Sequence, residues 1–121
     1  WEFFWNDQSI QGFYPGTGKE GKFIANNVHN VNMKKKSRDE HYLDRLTIEL
    51  DKIKEFKPSI FIVSMGCDIV DGDNFDIMRC STEFYKKVYD MLKTEFGIPI
   101  ILVLEGGYNK DNVTGTIKNF V

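Results

Sequence analysis

The residues best suited to chemistry lie at the end of an apolar run in residues 58–73, PSIFIVSMGCDIVDGD. The run stops at the letters MGCD, and the carboxylates of Asp68, Asp71 and Asp73 follow in close succession. If the run is a strand of a parallel sheet, Asp68 lies at the carboxyl end of that strand, where open α/β sheets bind their ligands. A carboxylate there could bind a metal ion or a polar substrate, whereas position alone favours three solvated loop acids.

A second polar segment, Gly106-Gly107-Tyr108, follows another apolar run. Its two glycines have no side chains, so that the backbone and a substrate can approach each other closely. The phenol of Tyr108 can donate a hydrogen bond to a carbonyl oxygen as that oxygen becomes an oxyanion. Together with Asp68 as a hard metal ligand, this segment is consistent with a metal-dependent hydrolase.

The apolar pattern predicts helices and strands that alternate along the chain. Apolar residues in steps of three and four predict a helix at residues 39–56, with Asp39 as its N-cap, and another at residues 82–96, capped by Ser81. Apolar runs predict strands at residues 59–64 and 100–104, each buried on both faces. A shorter strand is predicted around residues 28–33, the tail of a strand at residues 1–5, and a last helix from about residue 111.

This order of elements is the βαβ pattern of a parallel sheet covered by helices. Because connections between parallel strands are right-handed, the ends of the two main strands fall on the same edge of the sheet. Asp68 and Gly106-Gly107-Tyr108 are therefore predicted to converge on one cleft although they are far apart in the sequence.

Length and composition limit the class of protein. A chain of 121 residues forms one domain at most, and 41% hydrophobic with 28% charged residues is typical of a globular protein. The net charge of −2 gives no reason to expect binding along nucleic acid, and no apolar run is long enough to span a membrane. Two cysteines, Cys67 and Cys80, indicate a reducing compartment, although the two could pair if they lay close together.

Three shorter motifs do not indicate sites. Residues 16–23 nearly match the phosphate-binding loop, but Phe23 replaces the hydroxyl residue that would bind Mg²⁺. Asp39-Glu40-His41 has the spacing of a zinc chelate, but its place at the start of an amphipathic helix favours a role in helix entry. The acidic residues 71–76 lack the ligand spacing of a calcium-binding loop.

Three blocks of the sequence resemble a known family. They read GFYPGTG at residues 12–18, SMGCD at residues 64–68 with Gly72-Asp73 after it, and LEGGYN at residues 104–109. In this order, and with the segments at residues 30–32 and 39–43, they are similar to the zinc-dependent histone deacetylases and their acetylpolyamine amidohydrolase relatives. The EGGY letters resemble the class II branch more than class I. The resemblance covers the chain from about residue 12 onward.

The resemblance implies a fold, an activity and roles for single residues. The fold would be α/β, a three-layer α/β/α arrangement with a parallel sheet of the arginase/deacetylase type, and residues 1–121 would be the C-terminal part of that catalytic domain. The activity would be zinc-dependent hydrolysis of N-acetyl-lysine in a histone or another protein. Asp68 would be a zinc ligand, and Tyr108 the catalytic tyrosine that polarises the acetyl carbonyl. Residues implied to contact the substrate are Tyr14 at the channel wall, Phe75 at the channel rim, and Gly106 and Gly107 in the pocket.

Two family elements are missing from this sequence. One is the His-His pair that supplies the general base, and the other is the Asp-x-His motif that supplies the remaining two zinc ligands. A catalytic zinc normally has three protein ligands, so that the chain by itself is expected to be inactive and to bind zinc weakly. The resemblance further implies corepressor-type protein partners and a location in the nucleus or the cytoplasm or both. The net charge and the apolar runs, as noted above, predict no direct contact with nucleic acid and no membrane.

Two other functions stay open. A non-catalytic interaction domain could keep the deacetylase fold, but such a domain would need neither Asp68 nor Tyr108. An amidohydrolase that acts on acetylated polyamines would present an acidic rim around its channel, suited to a polycation.

Overall fold

The fold consists of parallel strand pairs and packed helices. The computed structural model describes the backbone of residues 2–5 and all of residues 29–121. The strands are β1 (Glu2–Trp5), β2 (Asn30–Met33), β3 (Phe61–Met65) and β4 (Ile100–Leu104), and the helices are α1 (Asp39–Phe56), α2 (Phe84–Phe96) and α3 (Lys110–Lys118). A short 3₁₀ helix at Cys67–Ile69 follows β3. The predicted alternation of helices and strands is confirmed over residues 29–121.

The described strands form two parallel pairs, β1 with β2 and β3 with β4. In the second pair Ile62 lies opposite Ile101 and Met65 lies opposite Leu104, so that both strands end at the same level. Helix α2 lies in the connection between β3 and β4. Because parallel strands need such a crossover, the predicted βαβ unit is confirmed, and it places the segments after β3 and β4 side by side.

One face of the β3–β4 pair carries an apolar core. Leu46, Leu50 and Ile53 of α1 and Leu92 of α2 are buried, and Phe61, Val63 and Ile100 of the strands pack against them. The apolar residues whose spacing predicts these two helices therefore include the ones that face the strands. Burial of these side chains supplies the main favourable free energy that holds the helices on the strands.

The opposite face of the same pair is exposed. Ile62, Ile101 and Val103 are 67%, 47% and 40% exposed. Burial therefore alternates along β3 and β4, and the prediction that both strands are buried on both faces is wrong for the part of the chain that the structure describes. The parallel sheet and the helix layer on one face match the predicted α/β class, while the third layer stays a prediction.

Two predicted helix caps differ from the observed ones. Asp39 is the first residue of α1 rather than its N-cap, which is Arg38, and the backbone N–H of Arg38 donates to Nδ1 of His41 at 3.1 Å. Helix α2 begins at Phe84 after Glu83, so that Ser81 is not its cap. Asp39 and Ser81 bond to each other instead, because the Ser81 hydroxyl donates to the Asp39 carboxylate at 2.6 Å. The predicted helix ends at Phe56 and Phe96 are confirmed.

The structure also shows the state of the two cysteines and the character of the helices. Cys67 and Cys80 are both buried and unpaired. Among the described residues, no helix has the length and apolar character that crossing a membrane requires.

Candidate functional site

The segments that follow β3 and β4 bond directly to each other. The backbone N–H of Glu105 donates to the carbonyl oxygen of Met65 at 3.0 Å, and that of Cys67 donates to the carbonyl oxygen of Gly106 at 2.7 Å. These bonds continue the parallel pairing beyond the strand ends. The predicted convergence of the Asp68 segment and the Gly106-Gly107-Tyr108 segment is therefore confirmed.

Asp68 is half-buried in the 3₁₀ helix after β3, and two glycines leave room for its side chain. A Cβ atom built on Gly66 would lie 2.8 Å from Oδ1 of Asp68, and one built on Gly106 would lie 2.7 Å from Oδ2. Real Cβ atoms do not approach oxygen so closely, so any larger residue at either position would displace the carboxylate. The glycines of the two converging segments thus form a cradle for one carboxylate.

The surroundings of Asp68 disfavour its negative charge. Burial raises the pKa of the Asp68 carboxyl, and the nearby carboxylates of Asp73 and Glu105 raise it further, while the backbone N–H groups of Asp68 and Ile69 partly oppose this. Like charges brought close together in a partly desolvated place repel one another. A cation bound at Asp68 would relieve that repulsion.

Tyr108 lies next to Phe75 at the surface. Their rings meet edge to face with centroids 4.8 Å apart, and the two residues are 55% and 58% exposed. Gly107 has a φ of 136°, a conformation that side chains rarely permit, and a Cβ there would lie 2.8 Å from the Cβ of Cys67. The backbone can change direction just before Tyr108 because residue 107 is a glycine. The structure thus brings together Tyr108, Phe75 and Gly107, which the sequence assigned to one site.

Asp73 is the residue of this region that sequence reasoning missed. Its side chain joins the two segments, because Oδ2 accepts hydrogen bonds from the backbone N–H groups of Tyr108 at 2.8 Å and Asn109 at 3.1 Å. Asp73 is buried, at 3% exposed, so that it is not one of three solvated loop acids. The only sequence signal was its place beside Gly72 in the second family-like block, which gave it no role.

Buried groups behind the two segments fix their positions. The hydroxyl of Tyr85 donates to the carbonyl oxygen of Gly66 at 3.0 Å, and Cys67 and Thr116 are fully buried. Burial raises the pKa of the Cys67 thiol, and the charges of Asp68 and Asp73 also raise it. Because the thiolate is the reactive form, Cys67 is a packing residue and not a nucleophile.

The structure tests which side chains could hold a metal ion. Asp68, cradled by glycines and close to other carboxylates, is suited to be one oxygen ligand. Within residues 29–121, no cluster of three or more His, Cys, Asp and Glu side chains could complete a site. His41 serves the start of α1, as predicted, because it accepts from the N–H of Arg38, whereas Asp39 bonds to Ser81 before α2. Tyr14 and the phosphate-loop-like residues 16–23 lie outside the described residues.

Comparison with known proteins agrees with this arrangement. Residues 5–121 match the histone deacetylase domain family. The chain belongs to this family. Over 106 residues it is 33% identical to histone deacetylase HDA1 of Saccharomyces cerevisiae, an alignment that covers 87% of this chain.

Solved structures show the fold of this deacetylase-family chain. The HDA15 HD domain superposes with a TM-score of 0.75 and 26% identity over 90% of this chain. An acetylpolyamine aminohydrolase from Burkholderia pseudomallei superposes with a TM-score of 0.62 and 21% identity over 76% of this chain, which shows a shared fold. The chain spans 33% of the HDA15 structure and 15% of the HDA1 sequence.

Proposed function

We propose that this chain supplies part of the active site of a zinc-dependent deacetylase that hydrolyses N-acetyl-lysine. The observation that carries the proposal is the convergence of Asp68 and Tyr108, which follow neighbouring strands and are joined through backbone bonds and the Asp73 carboxylate. Membership of the histone deacetylase family supports the same chemistry. The substrate would be acetylated lysine in a histone or another protein.

We propose one role for each residue of the site, and the surroundings of the described ones support it. The Tyr108 phenol donates a hydrogen bond to the acetyl carbonyl oxygen and stabilises the negative charge that develops there during attack by water. Asp68 is one ligand of the zinc ion, which when bound acts as a Lewis acid and lowers the pKa of water. The substrate is contacted by Phe75, exposed beside Tyr108, by the glycines Gly106 and Gly107, and by Tyr14.

The substitution Tyr108→Phe tests the catalytic role of the phenol. In the protein at its natural length, kcat for an acetyl-lysine peptide should fall by about 10²- to 10³-fold, because one donor to the developing oxyanion is lost. Zinc content should not change, since the phenol is not a ligand. The measurement is deacetylation rate against peptide concentration, with bound zinc determined on the same samples.

Tyr89→Phe is the matched control, because Tyr89 loses the same hydroxyl but packs on Phe120 with ring centroids 5.9 Å apart. This variant should keep its rate within about twofold. Full activity in Tyr108→Phe would contradict the proposed role, and zinc binding with no hydrolysis in any form of the protein would favour a non-catalytic interaction domain. For the 121-residue chain alone, we propose no activity and weak zinc binding, since Asp68 is a single ligand.

An amidohydrolase for acetylated polyamines is the second candidate, and the same assay distinguishes it from a protein deacetylase. The carboxylates of residues 71–76 do not form an unpaired acidic rim, because Asp73 is buried, Asp71 pairs with Arg79 and Asp76 pairs with Lys36. This pairing supports a peptide substrate over a polycation. A higher kcat/KM for N-acetylspermidine than for the acetyl-lysine peptide would reverse that preference.

The cellular setting is part of the proposal. A histone substrate and corepressor-type partners would place the protein in the nucleus, and other acetylated proteins would place it in the cytoplasm. The relative HDA1 bears the name of a histone deacetylase, which supports the first of these settings. Fractionation of cells that express the protein, with a tag on one end, would separate the two.

A further inference from the structure

The buried carboxylate of Asp73 is satisfied almost entirely by backbone N–H groups. Its Oδ2 accepts from Tyr108 and Asn109, and its Oδ1 accepts from Phe75 at 3.0 Å. Burying a charged group is costly unless hydrogen bonds compensate for the lost water, and bonds to a charged acceptor are the stronger kind. Three such donors explain why a carboxylate can be buried here.

The three donors come from the two segments that carry the exposed aromatic pair. The N–H groups of Tyr108 and Asn109 immediately precede the first turn of α3, and the positive end of the helix dipole there favours an anion. The N–H of Phe75 belongs to the loop after β3. A single side chain therefore sets the backbone under both rings, whose centroids are 4.8 Å apart.

Two exposed side-chain amides also bond between the segment after β3 and the segment after β4, a contact region called the junction below. Nδ2 of Asn74 donates to the carbonyl oxygen of Tyr108 at 2.8 Å, and Nδ2 of Asn109 donates to that of Gly72 at 2.9 Å. Both bonds are exposed, so that water can replace them at little cost. Asp73 is the buried member of the junction, and its bonds are the ones that water cannot replace.

We infer that Asp73 is a positioning residue of the active site, whose carboxylate holds the backbone of Tyr108 and Phe75 so that the phenol faces the substrate carbonyl. This inference rests on the proposed function of Tyr108. Asp73 touches neither substrate nor zinc, and it acts only through the backbone of the residues that do. A backbone shift of about 1 Å at such a place can reduce the rate of reaction by about 10²-fold.

The test compares Asp73→Asn with Asp71→Asn in the protein at its natural length. Both variants replace a carboxylate by an amide in the same loop, but the Asp71 side chain is exposed and pairs with Arg79. In Asp73→Asn one acceptor oxygen becomes an NH₂ group, so that either the Phe75 N–H or the N–H groups of Tyr108 and Asn109 lose their acceptor. In both orientations the remaining bonds also lose the charge that strengthens them. Hydrogen exchange at the Tyr108 and Asn109 amides, measured by NMR, should become at least about tenfold faster, and Asp71→Asn should leave it unchanged.

Kinetics provide the second measurement. A purely structural role of Asp73 would not lower kcat while it leaves KM and zinc content nearly unchanged. In Asp73→Asn, kcat for an acetyl-lysine peptide should fall by about 10²-fold with KM within about threefold, and zinc content should be kept. Unchanged amide exchange, or faster exchange with unchanged kcat, would overturn the inference. Inactive unmodified protein would count against the proposed function alone, and the exchange rates would still decide whether Asp73 holds this backbone.

A measurement on the unmodified protein covers the case in which Asp73→Asn does not fold. A scalar coupling across the hydrogen bond should connect the Asp73 side-chain carboxyl carbon with the Tyr108 amide nitrogen. Slow exchange of the Tyr108 amide should accompany it. Fast exchange at Tyr108 with no such coupling would overturn the inference without any variant.

Discussion

At the scale of single residues, the space around Asp68 decides which substitutions the site tolerates. Its two carboxylate oxygens face Gly66 and Gly106, where a Cβ atom would lie at 2.8 and 2.7 Å. Asp68, the proposed metal ligand, and Gly106 are therefore coupled by contact, although they lie 38 positions apart in the sequence. The Asp68 side chain thus requires a glycine at position 106, independently of the proposed contact of Gly106 with the substrate.

Gly106→Ala should weaken zinc binding of the protein at its natural length by about tenfold, because the methyl group displaces the Asp68 carboxylate. Competition with a chromogenic chelator measures this affinity directly. Gly97→Ala is the control, since Gly97 follows α2 with a φ of 64°, and a Cβ atom there would meet no described atom within 4 Å. That variant should lose stability but keep its zinc affinity. Equal zinc affinity in both variants would contradict the contact.

Strand topology placed Asp68, Gly106, Gly107 and Tyr108 in one region, because it determines where parallel strands end. Phe75 was assigned to that region by the family resemblance alone. It could not separate Asp73 from Asp71, two acids of the same loop, because burial there depends on contacts with residues 35 and 36 positions away. Local pattern carries no information on such contacts. The role of each residue stays a proposal, and Tyr14 lies outside the described residues.

At the scale of elements, Asp39 joins the start of α1 to the start of α2. Its carboxylate accepts from the N–H of Ser81 at 2.7 Å, from the Ser81 hydroxyl and from Nζ of Lys87 at 2.5 Å. The sequence predicted separate caps for the two helices, Asp39 for one and Ser81 for the other. The two predicted caps bond to each other because the fold brings the helix starts together, and no local signal encodes that.

Asp39→Asn should lower the free energy of unfolding at pH 7 by about 1 kcal/mol, because a partly buried charge-assisted bond to Lys87 is lost. Burial raises the pKa of the Asp39 carboxyl, but hydrogen bonds from Lys87 and Ser81 outweigh it and hold the pKa below its ordinary value. A lowered pKa in the folded state means that this stabilisation is full above about pH 5 and is lost as pH falls below the ordinary value near 4.

Urea unfolding of the unmodified chain and of Asp39→Asn at a series of pH values measures this effect. The difference in the free energy of unfolding between the two proteins should shrink steadily as the pH falls from about 5 to about 2. Asp44→Asn, on the exposed side of the same helix, should differ from the unmodified chain by no more than about 0.5 kcal/mol at any pH. A constant difference for Asp39→Asn across the range would show that its charge does not stabilise the fold.

At the scale of the whole molecule, the exposed face of β3 and β4 is the largest departure from the sequence prediction. The runs FIVSM and IILVL are as apolar as strands that are covered on both faces. The described residues cover one face with α1 and α2, and Ile62 and Ile101 lie opposite each other on the uncovered one. Hydrophobic pattern predicts that a face will be buried, but it does not say which residues will cover it.

From this exposed face we predict that the 121-residue chain associates with itself in solution. Exposed apolar side chains in register on neighbouring strands form a patch that favours association with another surface. The chain should therefore self-associate with rising concentration and bind the dye ANS. The double substitution Ile62→Thr with Ile101→Thr should reduce both, since threonine keeps the β-branch that suits a strand while it removes apolar area. Sedimentation velocity over a concentration series measures the association.

Ile48→Thr provides the comparison, because Ile48 is similarly exposed but lies on α1, away from this face. It should leave the sedimentation profile unchanged. If the double variant associates as strongly as the unmodified chain while Ile48→Thr does not, the sheet face is not the surface responsible. If the double variant is monomeric and its unfolding midpoint in urea is unchanged, the uncovered face contributes to association and not to the stability of the folded chain. The apolar pattern of β3 and β4 would then be explained by what the face binds, and the core beneath α1 and α2 by the chain's own folding.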